Sequence, residues 1–277
     1  MLFRTLEHTP IDILTNAFNN AFASYEIPLQ FTPQALQDKI RNEDIDLRLS
    51  VGAFDGDVLA GFIFFGIDTI NGVKTAWDGG TGVIAAYRGQ QLTQKMFAHM
   101  VPVFKEMGVQ RGLLEVLKNN TGAKKIYEKI GFSTIRELHA YKGQVTKAAP
   151  QHKVEVLNNP DMAALSALGD WQPAWQQMNK RVQNFGDMVE TVVVKAGDNI
   201  AAYAHYNKAT KRVYQFATAK QHRRKGMATA LFHYIAGDNT IPVMFVNIDG
   251  NDEASNAFLP AIGMPLVISQ YEMDMIL

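Results

Sequence analysis

V-I-A-A-Y-R-G-Q-Q-L-T, Val83 to Thr93, is the stretch on which the fold turns, and F-A-T-A-K-Q-H-R-R-K-G-M-A, Phe216 to Ala228, repeats its plan. Each reads as the end of an apolar strand (Val83 and Ile84, Phe216 and Ala217), a turn, and the start of a helix. Arg88 is followed by Gly89, Gln90, Gln91, Leu92 and Thr93, and Arg223 by Arg224, Lys225, Gly226, Met227 and Ala228, so the second copy fits [QR]-x-x-G-x-[GA]. A strand that runs through a tight turn into a helix leaves several backbone N–H groups unpaired and pointing one way, with the positive end of the helix dipole behind them. Such a place suits a phosphate or pyrophosphate.

The sequel repeats as well. After Arg88 come an apolar-periodic helix, the buried strand Leu113-Leu114-Glu115-Val116, and a run from Asn120 through Ala123 and Tyr127 to Gly131-Phe132. After Arg223 come Val243 to Asn247, then Asn251, Ala254, Phe258 and Gly263-Met264. The arginines are 135 residues apart (223 minus 88), and Asn120 to Ala123 is spaced as Asn251 to Ala254. This order resembles the GNAT superfamily of N-acetyltransferases, and its recurrence reads as an internal duplication. The resemblance implies a mixed α/β fold with two GNAT-like acyl-CoA N-acyltransferase domains in tandem, expected over residues 1–145 and 152–277.

Composition agrees. A chain of 277 residues accommodates two domains, each with its own core. Formal charge is zero, which gives no global field to draw nucleic acid or an anionic membrane. The absence of cysteine excludes disulfides, thiolate metal sites and a cysteine nucleophile, and suits a reducing compartment. No apolar run reaches membrane-spanning length, and the expected location is the cytoplasm. The seven histidines show no i,i+4 metal pair and read as surface or satisfied core residues.

Helices are expected over Ile11–Phe22 and from Pro33 to about Arg41, and strands over Leu2–Leu6, Leu47–Phe54, Val58–Ile67 and 73–84, with turns at Asp55-Gly56 and Asn71-Gly72. Pro102 should kink or loosen the helix after the first loop. A final strand runs to about Lys142, and Gly143 to Lys153, with little to bury, reads as the linker. Trp171, Trp175 and Met178 stand at helical spacing and read as packing, or as a lining of the substrate cleft.

The chemistry implied by the resemblance is direct transfer of an acetyl group from acetyl-CoA to an amine, on a small molecule or a peptide. In that family two central strands splay apart and bond the pantetheine arm, while the loop amides hold the pyrophosphate. Tyr127 matches the residue that donates to the departing sulfur. A free tyrosine has a pKa of about 10 against about 8.5 for a thiol, so hydrogen bonding to the thiolate is its expected role. The matching Phe258 has no proton to give. An amine with a lysine-like pKa is neutral about one part in a thousand at pH 7.4, a cost of roughly 4 kcal/mol, so a base is wanted. Asp78 and Glu115 are the acidic candidates on the strands that flank the loop, though Asp78 in W-D-G-G-T-G reads equally as the cap of a bulge. The loop residues named above, with Asn120 and Asn251, are the expected cofactor contacts. The rival reading is a non-catalytic acyl-CoA-binding or regulatory protein. Neither the acceptor's identity nor an oligomeric state is encoded in these motifs.

Overall fold

In a computed structural model the described residues are 1–23, 29–148, 150–170 and 172–277, so the expectation placed on Trp171 lies outside them. They form two compact units. The first comprises Met1–Ile135 with Glu272–Leu277, and the second Arg136–Tyr271.

In the first unit β1 (Leu2–Thr5), β2 (Val51–Asp55), β3 (Val58–Ile70) and β4 (Val73–Val83) pair antiparallel in that order, and β5 (Arg111–Leu117) joins β4 in parallel. The turns between β2, β3 and β4 fall where the sequence predicts, with Gly56, Asn71 and Gly72 at positive φ. Alternation along β3 sends Phe62 and Phe64 to one face and Phe65 to the other. Phe62 and Phe64 pack with Leu14 and Phe18 of α1 (Ile11–Phe22) and with Leu36 of α2 (Pro33–Asn42). Phe65 meets Phe97 and Phe104 of α3 (Leu92–Glu106) edge to face, at 5.5 and 5.0 Å. Each buried phenylalanine contributes roughly 1.5–3 kcal/mol, so both faces are held by their aromatic layers. The helix α4 (Thr121–Ile130) completes this unit and ends at Gly131, whose φ is +117°.

The second unit restates the plan. β7 (Val154–Val156), β8 (Val189–Ala196), β9 (Asn199–Asn207) and β10 (Arg212–Thr218) pair antiparallel, and β11 (Val243–Asp249) joins β10 in parallel. One face is covered by the short helices α5 (Met162–Ser166) and α6 (Asn179–Asn184). The other is covered by α7 (Met227–Ala236), whose Leu231, Phe232 and Ile235 pack with Val192, Val194, Ala202 and Ala204. The helix α8 (Glu253–Ala261) corresponds to α4.

Several expectations give way. β2 begins only at Val51, because Leu49 and Ser50 donate their amides to the Asp46 carbonyl and make a turn of the residues before it. Pro102 sits inside α3, which continues to Glu106. Trp175 lies in a 3-10 turn over Trp175–Gln177 and not in a helix. The linker is not featureless: Val145 is buried in the second core and exchanges hydrogen bonds with the Asn239 side chain. The units also trade strands. β6 (Ser133–Gly143) pairs with β11 from Val243↔Gly143 to Asp249↔Leu138, so Arg136–Gly143 belongs to the second unit. The end of β12 (Leu266–Ile276) returns to the first, where Leu277 N bonds Gln110 O at 3.0 Å. The compact units therefore differ from the contiguous division at 1–145 and 152–277.

Candidate active site

In the first unit β4 and β5 pair only over Thr75↔Arg111, Ala76↔Gly112 and Trp77↔Leu113. Parallel strands that stop pairing leave backbone groups free on both sides of the opening. Asp78 is the next residue on β4 and Glu115 lies two past Leu113 on β5, so the two acidic candidates stand at the mouth of this opening. Asp78 also starts a bulge. Phe64 pairs with Gly80 and Phe65 with Asp78, which leaves Gly79 as the extra residue. The Asp78 carboxylate accepts from the Gly80 amide at 2.8 Å and from the Thr81 hydroxyl. The residue as a whole is half-buried, but its carboxyl is crowded by protein atoms. This desolvation pushes its pKa up to about 6, against the opposing pull of the Thr81 and Gly80 hydrogen bonds and the charge of Lys39. The bulge-cap reading therefore holds for Asp78, and its carboxyl stands beside the opening. Thr81 and Lys39 were not singled out from the sequence; the Gly79-Gly80 pair was the available signal for the first.

Beyond the opening, a 3-10 turn (Ala85–Tyr87) carries β4 into the loop. Gly89 has φ +79°, and Gln91, the residue before α3, has φ +59° with no side-chain cap on the helix. The first-turn amides of α3 therefore remain free of side-chain acceptors, as an anion site requires. Arg88 is exposed, but its guanidinium is turned back onto backbone carbonyls. Its Nε donates to Val83 O at 3.2 Å and its Nη2 to Ala21 O at 2.9 Å, which ties the loop to the strand and to α1. Ile84 N bonds Ala60 O, Leu92 and Thr93 are buried, and Gln90 is exposed. Asn120 is spent locally: its Oδ1 accepts from Ala123 N at 3.1 Å and caps α4. Tyr127 is buried on the inner side of α4, its ring edge to face with Phe97 at 6.2 Å and Phe132 at 6.1 Å.

The second loop repeats these local features. Its 3-10 turn spans Lys220–His222, and Arg223 Nε donates to Thr218 O at 3.0 Å, as Arg88 does five residues back along its own chain. The two positive-φ positions recur at Arg224 (+59°) and Gly226 (+84°), and α7 also starts without a side-chain cap. Each copy thus places its glycine at a different one of the two left-handed positions. The differences lie around this frame. Arg223 is also ion-paired with Asp170 at 2.5 Å, which Lys220 joins at 3.3 Å. Asp252 caps α8, while the Asn251 amide bonds Asp249 Oδ1. Phe258 packs tilted against Phe216 and edge to face with Phe232, at 5.8 and 5.5 Å, where Tyr127 meets Phe97 in the first unit. A cleft of about 810 Å3 runs from this loop along α8, with Phe216, Ala217, Met227 and Ala228 in its walls.

The bulge recurs too, with Tyr214 as its extra residue between Val213↔Tyr206 and Gln215↔His205. Val213 stands where Asp78 does, so this position of the second unit carries an apolar side chain in place of the acid. His205 departs from the sequence reading of satisfied histidines. It is fully buried, its Nδ1 bonds Thr191 Oγ1 at 2.8 Å, its Nε2 has no partner, and burial pulls its pKa down to about 4.

Among the described residues, no helix is long and apolar enough to cross a membrane. Residues 13–132 match the Acetyltransferase (GNAT) family. No curated protein matches the chain. Among solved structures, a GCN5-related N-acetyltransferase from Sphaerobacter thermophilus is similar with a TM-score of 0.74 at 11% identity, over 99% of this chain and 95% of that one. A tandem GNAT protein from the clavulanic acid biosynthesis pathway is similar with a TM-score of 0.71 at 13% identity, over 99% and 98% of the two chains. At such identities the likeness is one of fold, and it extends over both units. Residues 13–132 thus form an Acetyltransferase (GNAT) family domain, and with the same loop, bulge and splayed strands in the second unit the chain is built as a tandem of two GNAT-like folds.

Proposed function

We propose that the first unit transfers an acetyl group from acetyl-CoA to a primary amine, with Asp78 as the base and Tyr127 as the donor to the leaving sulfur. The observation that carries this reading is the Asp78 carboxyl at the opening between β4 and β5, raised by burial to about 6. A base is most useful when its pKa lies near the working pH, and a carboxylate in this range is ionised at neutral pH yet basic enough to accept an amine proton as the C–N bond forms. The amine nitrogen attacks the thioester carbonyl, its proton passes to Asp78 directly or through a water, and the C–S bond breaks. Tyr127 hydrogen-bonds the departing thiolate. Glu115, on the facing strand, is the second candidate to receive the proton. Val83, Ile84 and the amides of Gly89 to Thr93 are the proposed donor contacts, with Arg88 acting by shaping the loop. Two acidic candidates, Asp78 and Glu115, stand on the strands that flank the opening, which suits a cationic acceptor.

The test is release of CoA thiol from acetyl-CoA across a panel of primary amines, with Asp78→Asn alongside the unsubstituted chain. Amine-dependent release that Asp78→Asn abolishes supports the reading. Tight CoA binding with no release for any amine favours the regulatory alternative instead.

A further inference from the structure

In the second unit β10 and β11 pair only at Arg212↔Met244 and Val213↔Phe245 before they part. The opening they leave is filled by the unit's own chain. Gln177 is fully buried; its Nε2 donates to Val246 O of β11 at 3.1 Å, and its own carbonyl accepts from Gln215 Nε2 of β10 at 2.5 Å. Next to it, Gln176 Oε1 accepts from Asn247 Nδ2 at 3.3 Å. One short segment is therefore hydrogen-bonded to both strands just past the point where they separate. Val246 is the counterpart of Glu115, two residues past Met244 as Glu115 is two past the matching Leu113, so the bond consumes a carbonyl beyond the last paired residues of the splay. Gln215 is saturated further, since its Nε2 also meets Asn179 Oδ1 at 2.9 Å and its Oε1 accepts from the Tyr203 hydroxyl at 3.0 Å. A side-chain amide in this opening makes the kind of bonds that the amides of a pantetheine arm would make.

The other end of the groove is occupied as well. A Cβ built on Gly226 would stand 2.6 Å from Pro150 Cγ, and His152 Nε2 bonds Lys225 O at 2.6 Å, so the linker rests on the turn that opens α7. Gly89, the first loop's glycine, stands at the other left-handed position and has nothing within 4 Å of a Cβ. The cleft along α8 persists beside this turn, but among the described residues none of its walls comes from β11.

We propose that the second unit takes no acyl-CoA, because Gln177 at the acyl end and Pro150 with His152 at the phosphate end are permanent occupants of its donor groove, and that the protein binds one donor per chain. This rests on the reading of the first unit as the transfer site.

Calorimetric titration of the full chain with CoA, joined to hydrogen–deuterium exchange with and without CoA, tests it. The expected result is one CoA per chain, with slowed exchange in the first turn of α3 and unchanged exchange at the start of α7 and at Asn247. Two CoA per chain, or slowed exchange at the start of α7 as well as of α3, overturns the inference and leaves acyl transfer by the first unit standing, whereas slowed exchange at α7 alone overturns both. No CoA bound at all overturns the transfer reading and takes this inference with it.

Discussion

The two units share a backbone and differ in what stands on it. Both have the left-handed pair before the central helix, the arginine turned back onto a strand carbonyl, the one-residue bulge and the strands that part beyond it. Beside the bulge, however, the first unit carries Asp78 and the second Val213. Across from the residue after the bulge stand Phe64 in one and His205 in the other. The face under α1 is an aromatic layer of Phe18, Phe62 and Phe64. The matching face under α5 and α6 is a hydrogen-bonded set built on Ser166, Asn179, Tyr203 and Gln215. A backbone frame can thus be kept by main-chain bonds and apolar layers while a handful of side chains decides whether it leaves room for chemistry.

The sharpest way to break this comparison is kinetic. Asp78→Asn should lower turnover about 10²–10⁴-fold, and Tyr127→Phe on the order of a hundredfold, while Phe258→Tyr leaves turnover where it was. Full activity in Asp78→Asn would remove Asp78 as the base, and a gain in Phe258→Tyr would place turnover in the second unit. With Asp78 as the base, the rate in the unsubstituted chain should also fall on the acid side of about pH 6.

Next in size is stability against pH, which should move the units in opposite directions. Asp78 has a raised pKa, so its contribution to stability is fully present below the ordinary carboxylate range and is lost as pH rises to about 6. His205 has a depressed pKa, so its contribution is present above the ordinary histidine range and is lost as pH falls from about 6.5 to about 4. Each shift spans a little over two pH units, or on the order of 3 kcal/mol. Acidification from pH 6.5 to 4 should therefore loosen the core amides of the second unit and tighten those of the first, as read by exchange rates unit by unit. Asp78→Asn and His205→Gln should each flatten one of the two slopes; parallel slopes in both units would refute the contrast.

Smaller effects sharpen the loops. Gly226→Ala must force a Cβ against Pro150 as well as adopt a left-handed backbone, so it should cost about 2–3 kcal/mol by chemical denaturation. Gly89→Ala, with open space around it, should cost only the backbone term of roughly 1 kcal/mol. Gln91→Gly relieves the same strain in the first loop and should stabilise by about 0.5–1 kcal/mol, with tighter CoA binding. Equal costs for the two alanine variants would show that the linker does not press on the second loop.

What could be read along the chain was what neighbours in sequence settle among themselves. The apolar spacing of Ile11, Leu14, Phe18 and Phe22 marks α1 to the residue, Thr32-Pro33 opens α2, and the Asp55-Gly56 and Asn71-Gly72 turns divide three strands. The equal spacing of the two arginine loops announces the duplication, because a repeated strand, turn and helix must repeat its local signals. The Asp78 bulge was half legible, through its two glycines. The environment that raises the pKa of this carboxyl was not, because burial and the charge of Lys39 come from elements distant in sequence.

Tertiary structure alone decided the rest. Gln177 reaches a carbonyl 69 residues away, and nothing in its neighbours distinguishes it from a solvated glutamine. Val145 looks like linker until Asn239 meets it. The placing of Arg136–Gly143 in one unit and Glu272–Leu277 in the other depends on which β edge each strand finds, and β patterns specify a buried face but not a partner. Sequence by itself determined the two frames and their loops, since these rest on local backbone preference and apolar period. Which frame keeps an open groove was decided by long-range hydrogen bonds and packing, whose partners only the folded chain brings together.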